Sequence, residues 1–251
     1  MLSIESTKNL TGVTISGSYA NLNKLYDAFT NVLGTPNCYP AYETCSLRIY
    51  GFCYDIRHAY QGDRHVDKGR YDEEIYSFEC LWPELIFIWS ILDNFIELSS
   101  GSRSYLLEEN EDPRFYEPKL YKMKLERIPD DIAILRYFQN LIKNAFLRTV
   151  DEKHGKRIVD LQEEKKFSKK YRKNVYIDYC TQWIDILNVR YINRKPDKRK
   201  RYLVTIAEKI LFSDEEYYYL NDFLLDYHER AGVPVHTIEL VDMQYPPTIE
   251  W

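Results

Sequence analysis

Two carboxylates, two guanidinium groups and two imidazoles occur within eleven residues, between positions 55 and 65. The candidate catalytic residues in this cluster are Asp55, Arg57, His58, Asp63 and Arg64. A histidine beside a carboxylate can act as a general base, and an arginine can stabilise an oxyanion or a phosphate. If the segment begins as a helix, Asp55 and His58 share a face because they are three residues apart. The cluster fits an enzyme that acts on a phosphate-containing substrate or nucleic acid, with His58 as base and Asp55 orienting it.

A structural role explains the same residues equally simply. Asp55 can cap a helix, while Arg57 and Arg64 pair with acidic residues elsewhere in the fold. The sequence also lacks the phosphate-binding loop, the dinucleotide-binding glycine motif, the nucleophile elbow of hydrolases and the zinc-protease motif. The common kinases, dehydrogenases, hydrolases and zinc proteases are therefore disfavoured, and the question of catalysis stays open.

A basic segment is the second feature of interest. Residues 151–201 hold 16 Lys and Arg against 8 Asp and Glu, which gives this segment a net charge of +8. The whole chain has a net charge of −5, so the other residues together carry −13. Basic side chains neutralise phosphates and interleaved aromatic rings stack on unpaired bases, which suits single-stranded nucleic acid. The alternative is a solvated charged face. The candidate partner-binding residues are Lys169, Lys170, Tyr171, Arg172, Lys173, Arg199, Lys200 and Arg201.

Tyrosine is unusually abundant, with 23 residues that include three in succession at positions 217–219. Tyrosine joins a large apolar face to a hydrogen-bonding tip, which suits protein interfaces. Three consecutive tyrosines on a helix point in different directions, so some must be exposed. Together with the acidic net charge and the missing catalytic motifs, this favours a non-catalytic protein-binding factor of an accessory, regulatory or immunity type, without a cofactor.

Cysteine usage and hydropathy predict a cytoplasmic location. The five cysteines form no C-x-x-C pair, which argues against a disulfide framework and a structural metal site. The longest apolar run, from Leu85 to Leu92, is too short to span a membrane and predicts a buried helix. The first residues, MLSIESTKNL, lack the basic and apolar stretches of a signal peptide.

The first hundred residues predict a small antiparallel sheet of βαββα type packed with helices. Alternating apolar residues predict strands around Leu2–Ile4, Val13–Ile15, Leu47–Ile49 and Tyr76–Cys80. Helical spacing predicts a helix from about position 22 that stops at Gly34 and Pro36, and an apolar helix from about position 84 to 98. The segment between positions 52 and 72 is predicted to begin as a short helix and end as a loop.

The second half is predicted to be mainly helical, which makes the whole chain α+β. Residues 1–100 form the predicted sheet domain, 101–131 an acidic, proline-containing loop or linker, and 132–251 a helical region docked on the first. Helical spacing recurs at 134–146, 176–187, 203–211 and 220–227. The aromatic C-terminal stretch is predicted to dock back on the fold.

Several short stretches together resemble a family of uncharacterised bacterial proteins known only as a domain of unknown function. They are Thr7–Val13, Gly51–Ala59 with Gly62–Arg64, Leu81–Glu84, Tyr191–Asn193, Tyr245–Pro246 and Ile249–Trp251. The resemblance covers nearly the whole chain. It implies a bacterial cytosolic protein and supplies no activity, cofactor or catalytic residue.

Overall fold

The computed structural model describes residues 1–35, 38–39, 42–69, 72–100, 128–167, 180–212 and 215–251, with the side chains of 164–167 left aside. Its strands are β1 (Ser3–Ser6), β2 (Gly12–Gly17), β3 (His65–Lys68) and β4 (Glu74–Leu81). Its helices are α1 (Tyr19–Leu33), α2 (Glu43–Tyr60), α3 (Trp82–Ser99), α4 (Ile128–Thr149), α5 (Glu152–Phe167), α6 (Gln182–Ile192), α7 (Pro196–Phe212) and α8 (Glu215–Ala231). Two short 3₁₀ turns follow, at Val235–Thr237 and Val241–Met243.

The four strands form one small antiparallel sheet in the order β1-β2-β4-β3. β3 and β4 pair antiparallel, with His65 opposite Ser77 and Lys68 opposite Glu74. Every residue of β3 is exposed, whereas the end of β4 is buried. The predicted α+β class and three of the predicted strands are confirmed.

The predicted strand at Leu47–Ile49 is wrong, because these residues belong to α2. Helical spacing puts one set of side chains on the buried face: Cys45, Ile49, Phe52, Cys53 and Ile56. Leu47 breaks the strand pattern, since it is 39% exposed while Ile49 is fully buried. The sheet obtains its remaining strand from β3, within the segment that was predicted to end as a loop.

The helices next to the sheet follow their predicted patterns. α1 ends where Gly34 adopts a φ of +69° and donates its backbone N–H to Thr30 O, a geometry that favours glycine. α3 begins directly after β4, and its residues Leu85–Ile88 are all fully buried, as expected for a helix that is apolar nearly all round. No helix among the described residues is long and apolar enough to cross a membrane.

The chain divides into two compact units, each assembled from three stretches. Unit 1 contains Met1–Glu5, Thr14–Glu79 and Ile88–Ile142, and unit 2 contains Ser6–Val13, Cys80–Phe87 and Lys143–Trp251. In unit 1, rings from α1, α2, β4 and α4 interlock: Phe29 lies 5.6 Å from Phe52 and 5.7 Å from Phe138, and Phe52 lies 5.6 Å from Phe78. These edge-on and tilted contacts form an aromatic core. The predicted boundaries at 100 and 131 stay a prediction.

The helical second half is confirmed where the structure describes it. The predicted helices at 134–146, 203–211 and 220–227 correspond to α4, α7 and α8, and the end of the 176–187 pattern corresponds to α6. Most of the predicted linker, 101–127, lies outside the described residues, as do 168–179.

The C-terminal stretch docks within unit 2, as predicted. The Tyr245 hydroxyl donates to Asp185 Oδ1 at 2.9 Å and accepts from Asn188 Nδ2 at 2.9 Å. Thr11 Oγ1 donates to the Glu250 carbonyl. The Trp251 ring lies so close to Gly12 that a Cβ on this glycine would come within 2.9 Å of it.

Candidate functional site

The predicted acid–base cluster lies in unit 1, on the last turns of α2 and the turn that follows. The cluster forms two pairs, and neither is the pair of Asp55 with His58 that the sequence predicted. His58 Nδ1 lies 2.8 Å from Asp63 Oδ2, and Arg64 Nη2 donates to Asp55 Oδ1 at 2.8 Å. Asp55 therefore pairs with Arg64 instead of orienting His58, because the turn after α2 brings positions 63 and 64 back beside the helix.

The two pairs are open to solvent. The side chains of Asp55 and Arg64 are 42% and 40% exposed, and that of Asp63 is 57% exposed. The hydrogen bond to Asp55 raises the pKa of Arg64 above its ordinary value. Ion pairs this exposed contribute little to stability, so they fix the turn more than they hold the fold. Asp55 lies inside α2 and is not its cap.

Arg57 and His58 both contact the ring of Tyr54. The Arg57 guanidinium carbon lies 5.3 Å from the Tyr54 ring centre, and the His58 ring centre lies 4.0 Å from it. The Arg57 Nε atom is buried without a hydrogen-bond partner in the described part of the chain. Chemically, the arrangement offers an imidazole with a carboxylate partner, beside a stacked guanidinium.

Only part of the basic segment lies within the described residues. Lys169, Lys170, Tyr171, Arg172 and Lys173 lie outside the described residues. Lys200 pairs with Asp151 at 3.0 Å, and Arg201 is exposed on α7. Whether these residues bind a partner stays a prediction.

Arg199 has a different position, since its side chain is only 5% exposed. Its Nη1 donates to Asn9 O at 2.8 Å and to Thr11 Oγ1 at 2.5 Å, and its Nη2 donates to Ile192 O at 2.7 Å. The guanidinium thus holds the loop before β2, and through Thr11 it is linked to the Glu250 carbonyl. We assign Arg199 a structural role, because both terminal guanidinium nitrogens donate to groups inside the protein, although the buried Nε has no partner among the described residues.

An exposed aromatic stripe lies on α8 in unit 2. Tyr219, Phe223 and Tyr227 are 76%, 53% and 44% exposed and share one helix face at four-residue spacing. The rings of Phe223 and Tyr227 stack with their centres 6.5 Å apart. The opposite face holds the buried Tyr217, so the expectation that the three consecutive tyrosines separate is confirmed.

A cavity of about 530 Å³ that is open to solvent lies in unit 2 between the end of α6 and the last 3₁₀ turn, and four of its six lining residues are exposed. Two arginines, an asparagine, an aspartate and two valines line it: Val189, Arg190, Asn193, Arg194, Val241 and Asp242. Sequence reasoning missed this site because its residues come from segments some fifty positions apart. The only available signal was the pair Arg190 and Arg194, four residues apart at the end of a helical pattern.

Metal ligation finds no support in the described part of the chain, where no group of three or more His, Cys, Asp or Glu could hold an ion. Burial raises the pKa of the Cys53 thiol to about 12, so this thiol is a poor nucleophile and a poor ligand at neutral pH.

A family model described as a domain of unknown function (DUF6904) matches residues 2–251. The chain belongs to this family. The resemblance to an uncharacterised family is therefore confirmed over nearly the whole chain. No curated protein and no solved structure shows significant similarity to it.

Several of the stretches that carry the family resemblance contact one another in unit 2. Gly12 packs against Trp251, and Thr11 bonds Glu250. Tyr191 donates its hydroxyl to Leu10 O at 2.7 Å, and Glu84 accepts from Asn188 at 3.2 Å. These stretches support one another structurally, which gives a physical reason for their occurrence together.

Proposed function

We propose that the protein is a non-catalytic binding factor of an accessory, regulatory or immunity type that docks on a partner protein through α8. The observation that carries the proposal is the exposed stripe of Tyr219, Phe223 and Tyr227. Anchors spaced along one helix face are how an amphipathic helix enters a partner's groove. Tyrosine and other large aromatic residues also supply much of the binding energy at interfaces.

The charges beside the stripe indicate what the partner looks like. Asp222, Asp226 and Glu229 are exposed and follow one another at helical spacing. Arg230 donates to Asp226 at 2.6 Å, which offsets part of this charge. An acidic border beside three aromatic rings favours an apolar groove rimmed by lysine and arginine on the partner. We infer a protein partner of that chemistry in preference to nucleic acid, whose phosphates the acidic border would repel.

The test is site-specific photo-crosslinking from Phe223 in the native host. We expect one partner protein, crosslinked at an apolar groove with basic residues at its rim. Replacing Tyr219 and Tyr227 by Ala should reduce the yield at least tenfold, because truncating a central aromatic anchor costs about 2 kcal/mol. The control is a crosslinker at Tyr137, which is 45% exposed on α4 in unit 1. It should not capture the same protein.

Three outcomes would overturn the proposal. They are equal capture from position 137, capture of nucleic acid, and capture of only a second copy of this chain. A second copy would also appear as a doubled mass in light scattering that returns to the single-chain value in Phe223→Glu.

The enzymatic alternative rests on the 2.8 Å contact between His58 and Asp63. In that reading His58 is the base, and Arg57 and Arg64 bind the anion of a phosphate-containing substrate. The pairing of Arg64 with Asp55 weakens this, because the carboxylate already neutralises the guanidinium. Loss of host phenotype in His58→Ala, with the α8 crosslink intact, would favour the alternative.

A bacterial, cytoplasmic setting also remains a proposal, supported by five buried free thiols.

A further inference from the structure

The cavity at the end of α6 contains charges of both signs that form no ion pair within the described part of the chain. Arg194, Asn193 and Asp242 line it. Within the described part of the chain, neither Arg194 nor Asp242 has an ion-pair partner, and they do not pair with each other. By contrast, Arg190 is occupied, since its Nη1 bonds Glu216 Oε2 at 2.6 Å. The cavity therefore presents one unpaired cation and one unpaired anion.

The cation is held in place by a stack of rings. The Arg194 guanidinium carbon lies 4.3 Å from the ring centre of Tyr202, and that ring stacks on Tyr191 with centres 6.2 Å apart and planes within 12°. Tyr191 is fully buried. A guanidinium fixed by stacking keeps its N–H donors available in one plane, and that geometry matches a carboxylate.

The anion is also on an anchored element. Asp242 lies in the 3₁₀ turn Val241–Met243, where Met243 N donates to Leu240 O at 3.0 Å. Two residues beyond that turn, Tyr245 is fixed by Asp185 and Asn188. The Arg194 guanidinium and the backbone that carries Asp242 are consequently positioned before a ligand arrives, which lowers the entropic cost of binding.

We propose that this cavity binds a small zwitterion, with its carboxylate on Arg194 and Asn193 and its ammonium group on Asp242. A simple anion would meet the Asp242 carboxylate, and a simple cation would meet Arg194, whereas a zwitterion satisfies both. Val189, which is half-buried, and Val241, which is 81% exposed, can contact an aliphatic part of the ligand. The volume of about 530 Å³ lies within the usual range of ligand sites and admits a free amino acid or a short peptide.

The test is calorimetric titration of the full chain with a ladder of zwitterions in which the two charges are progressively further apart: glycine, β-alanine, 4-aminobutyrate, 6-aminohexanoate, dialanine and trialanine. Free leucine is added to the ladder to probe contact with the two valines. Binding that peaks at the α-amino acids identifies a free amino acid as the ligand, and binding that peaks at the di- or tripeptide identifies a peptide. Acetate and methylamine, each with one charge only, should bind at least tenfold more weakly than the best zwitterion.

Two variants remove one charge each. Arg194→Gln and Asp242→Asn should each weaken binding of the best zwitterion about tenfold or more, since each removes charge-assisted hydrogen bonds. Lys153→Gln and Asp160→Asn are matched controls, because both residues are exposed and outside the cavity, and they should bind like the parent. Circular dichroism and thermal unfolding confirm that all four variants fold.

The proposal is overturned if no zwitterion in the ladder binds, if acetate binds as tightly as the zwitterions, or if folded Arg194→Gln binds normally. These results are independent of the crosslink from α8, so failure here leaves the proposed function standing.

Discussion

Arg199 holds a positive charge inside unit 2 without a carboxylate partner among the described residues. Its acceptors are two backbone carbonyls and one hydroxyl, which come from the loop before β2 and from the end of α6. A buried charge is tolerated only where such groups surround it. Arg199 therefore joins two parts of unit 2 that are far apart in sequence.

Replacing this arginine should destabilise the protein. Arg199→Met removes the hydrogen bonds that Asn9 O, Thr11 Oγ1 and Ile192 O accept from the guanidinium, so the free energy of unfolding should fall by about 3 kcal/mol in urea denaturation. Arg201→Met, an exposed position on the same helix, is the control and should unfold like the parent. A loss of less than about 1 kcal/mol at position 199 would mean that water replaces the guanidinium.

Sequence reasoning reached the residue types of the candidate cluster but not their partners. Asp55 and His58 share a helix face as expected, yet the turn after α2 offers each of them another partner, Arg64 and Asp63. Spacing along a helix predicts which contacts are possible, and the turn decides which ones form. The burial of Arg199 was not predictable, because a basic run reads as an exposed face until its backbone acceptors are known.

At the scale of elements, the long amphipathic helices were predictable and α2 was not. α1, α4 and α7 bury several residues at helical spacing, so their pattern persists over three turns or more. In α2, the short window from Ser46 to Tyr50 alternates like a strand by chance. The helical pattern emerges only when the window extends to Phe52, Cys53 and Ile56.

α2 contains a glycine that lowers the stability of the helix and that no neighbouring atom requires to be small. Gly51 lies inside the helix, and a Cβ added there would meet nothing within 4 Å. Gly51→Ala should raise the free energy of unfolding by about 0.5–1 kcal/mol, because alanine loses less backbone entropy in a helix. Guanidinium denaturation of the purified variant measures the change.

Gly12→Ala provides a comparison of opposite sign. Its Cβ would lie 2.1 Å from the Cys80 carbonyl oxygen, and backbone at that position cannot yield easily. We expect a loss of about 2 kcal/mol or more. If the two variants changed the free energy of unfolding equally, the backbone around Gly12 would be able to make room for a Cβ.

At the scale of the whole molecule, buried thiols and phenols are expected to lower the stability of the folded protein at alkaline pH. Burial raises the pKa of Cys53, Cys180, Tyr39 and Tyr50 to about 12 each. Their ordinary values are 9.0 for the thiols and 10.0 for the phenols. Above pH 9 the unfolded chain therefore releases protons that the folded protein retains.

The free energy of unfolding should be unaffected by these groups below pH 8 and should fall as the pH rises from 9 towards 12, by at most about 1.4 kcal/mol per pH unit for each group. Urea denaturation at a series of pH values measures the slope. The double variant Cys53→Ala, Cys180→Ala is expected to lose stability at all pH values but to show a shallower slope above pH 9. A slope identical to that of the parent would contradict the assignment to the thiols.

The loop from Thr7 to Gly12 takes its partners from residues that lie between 181 and 239 positions later in the chain. Tyr191 and Arg199 bond its backbone, and Glu250 and Trp251 close over Thr11 and Gly12. Pairings across so many residues form late, because the chain between them must first be ordered. During synthesis this loop thus stays exposed until the later residues have emerged and folded, and in that interval it is open to chaperones and proteases.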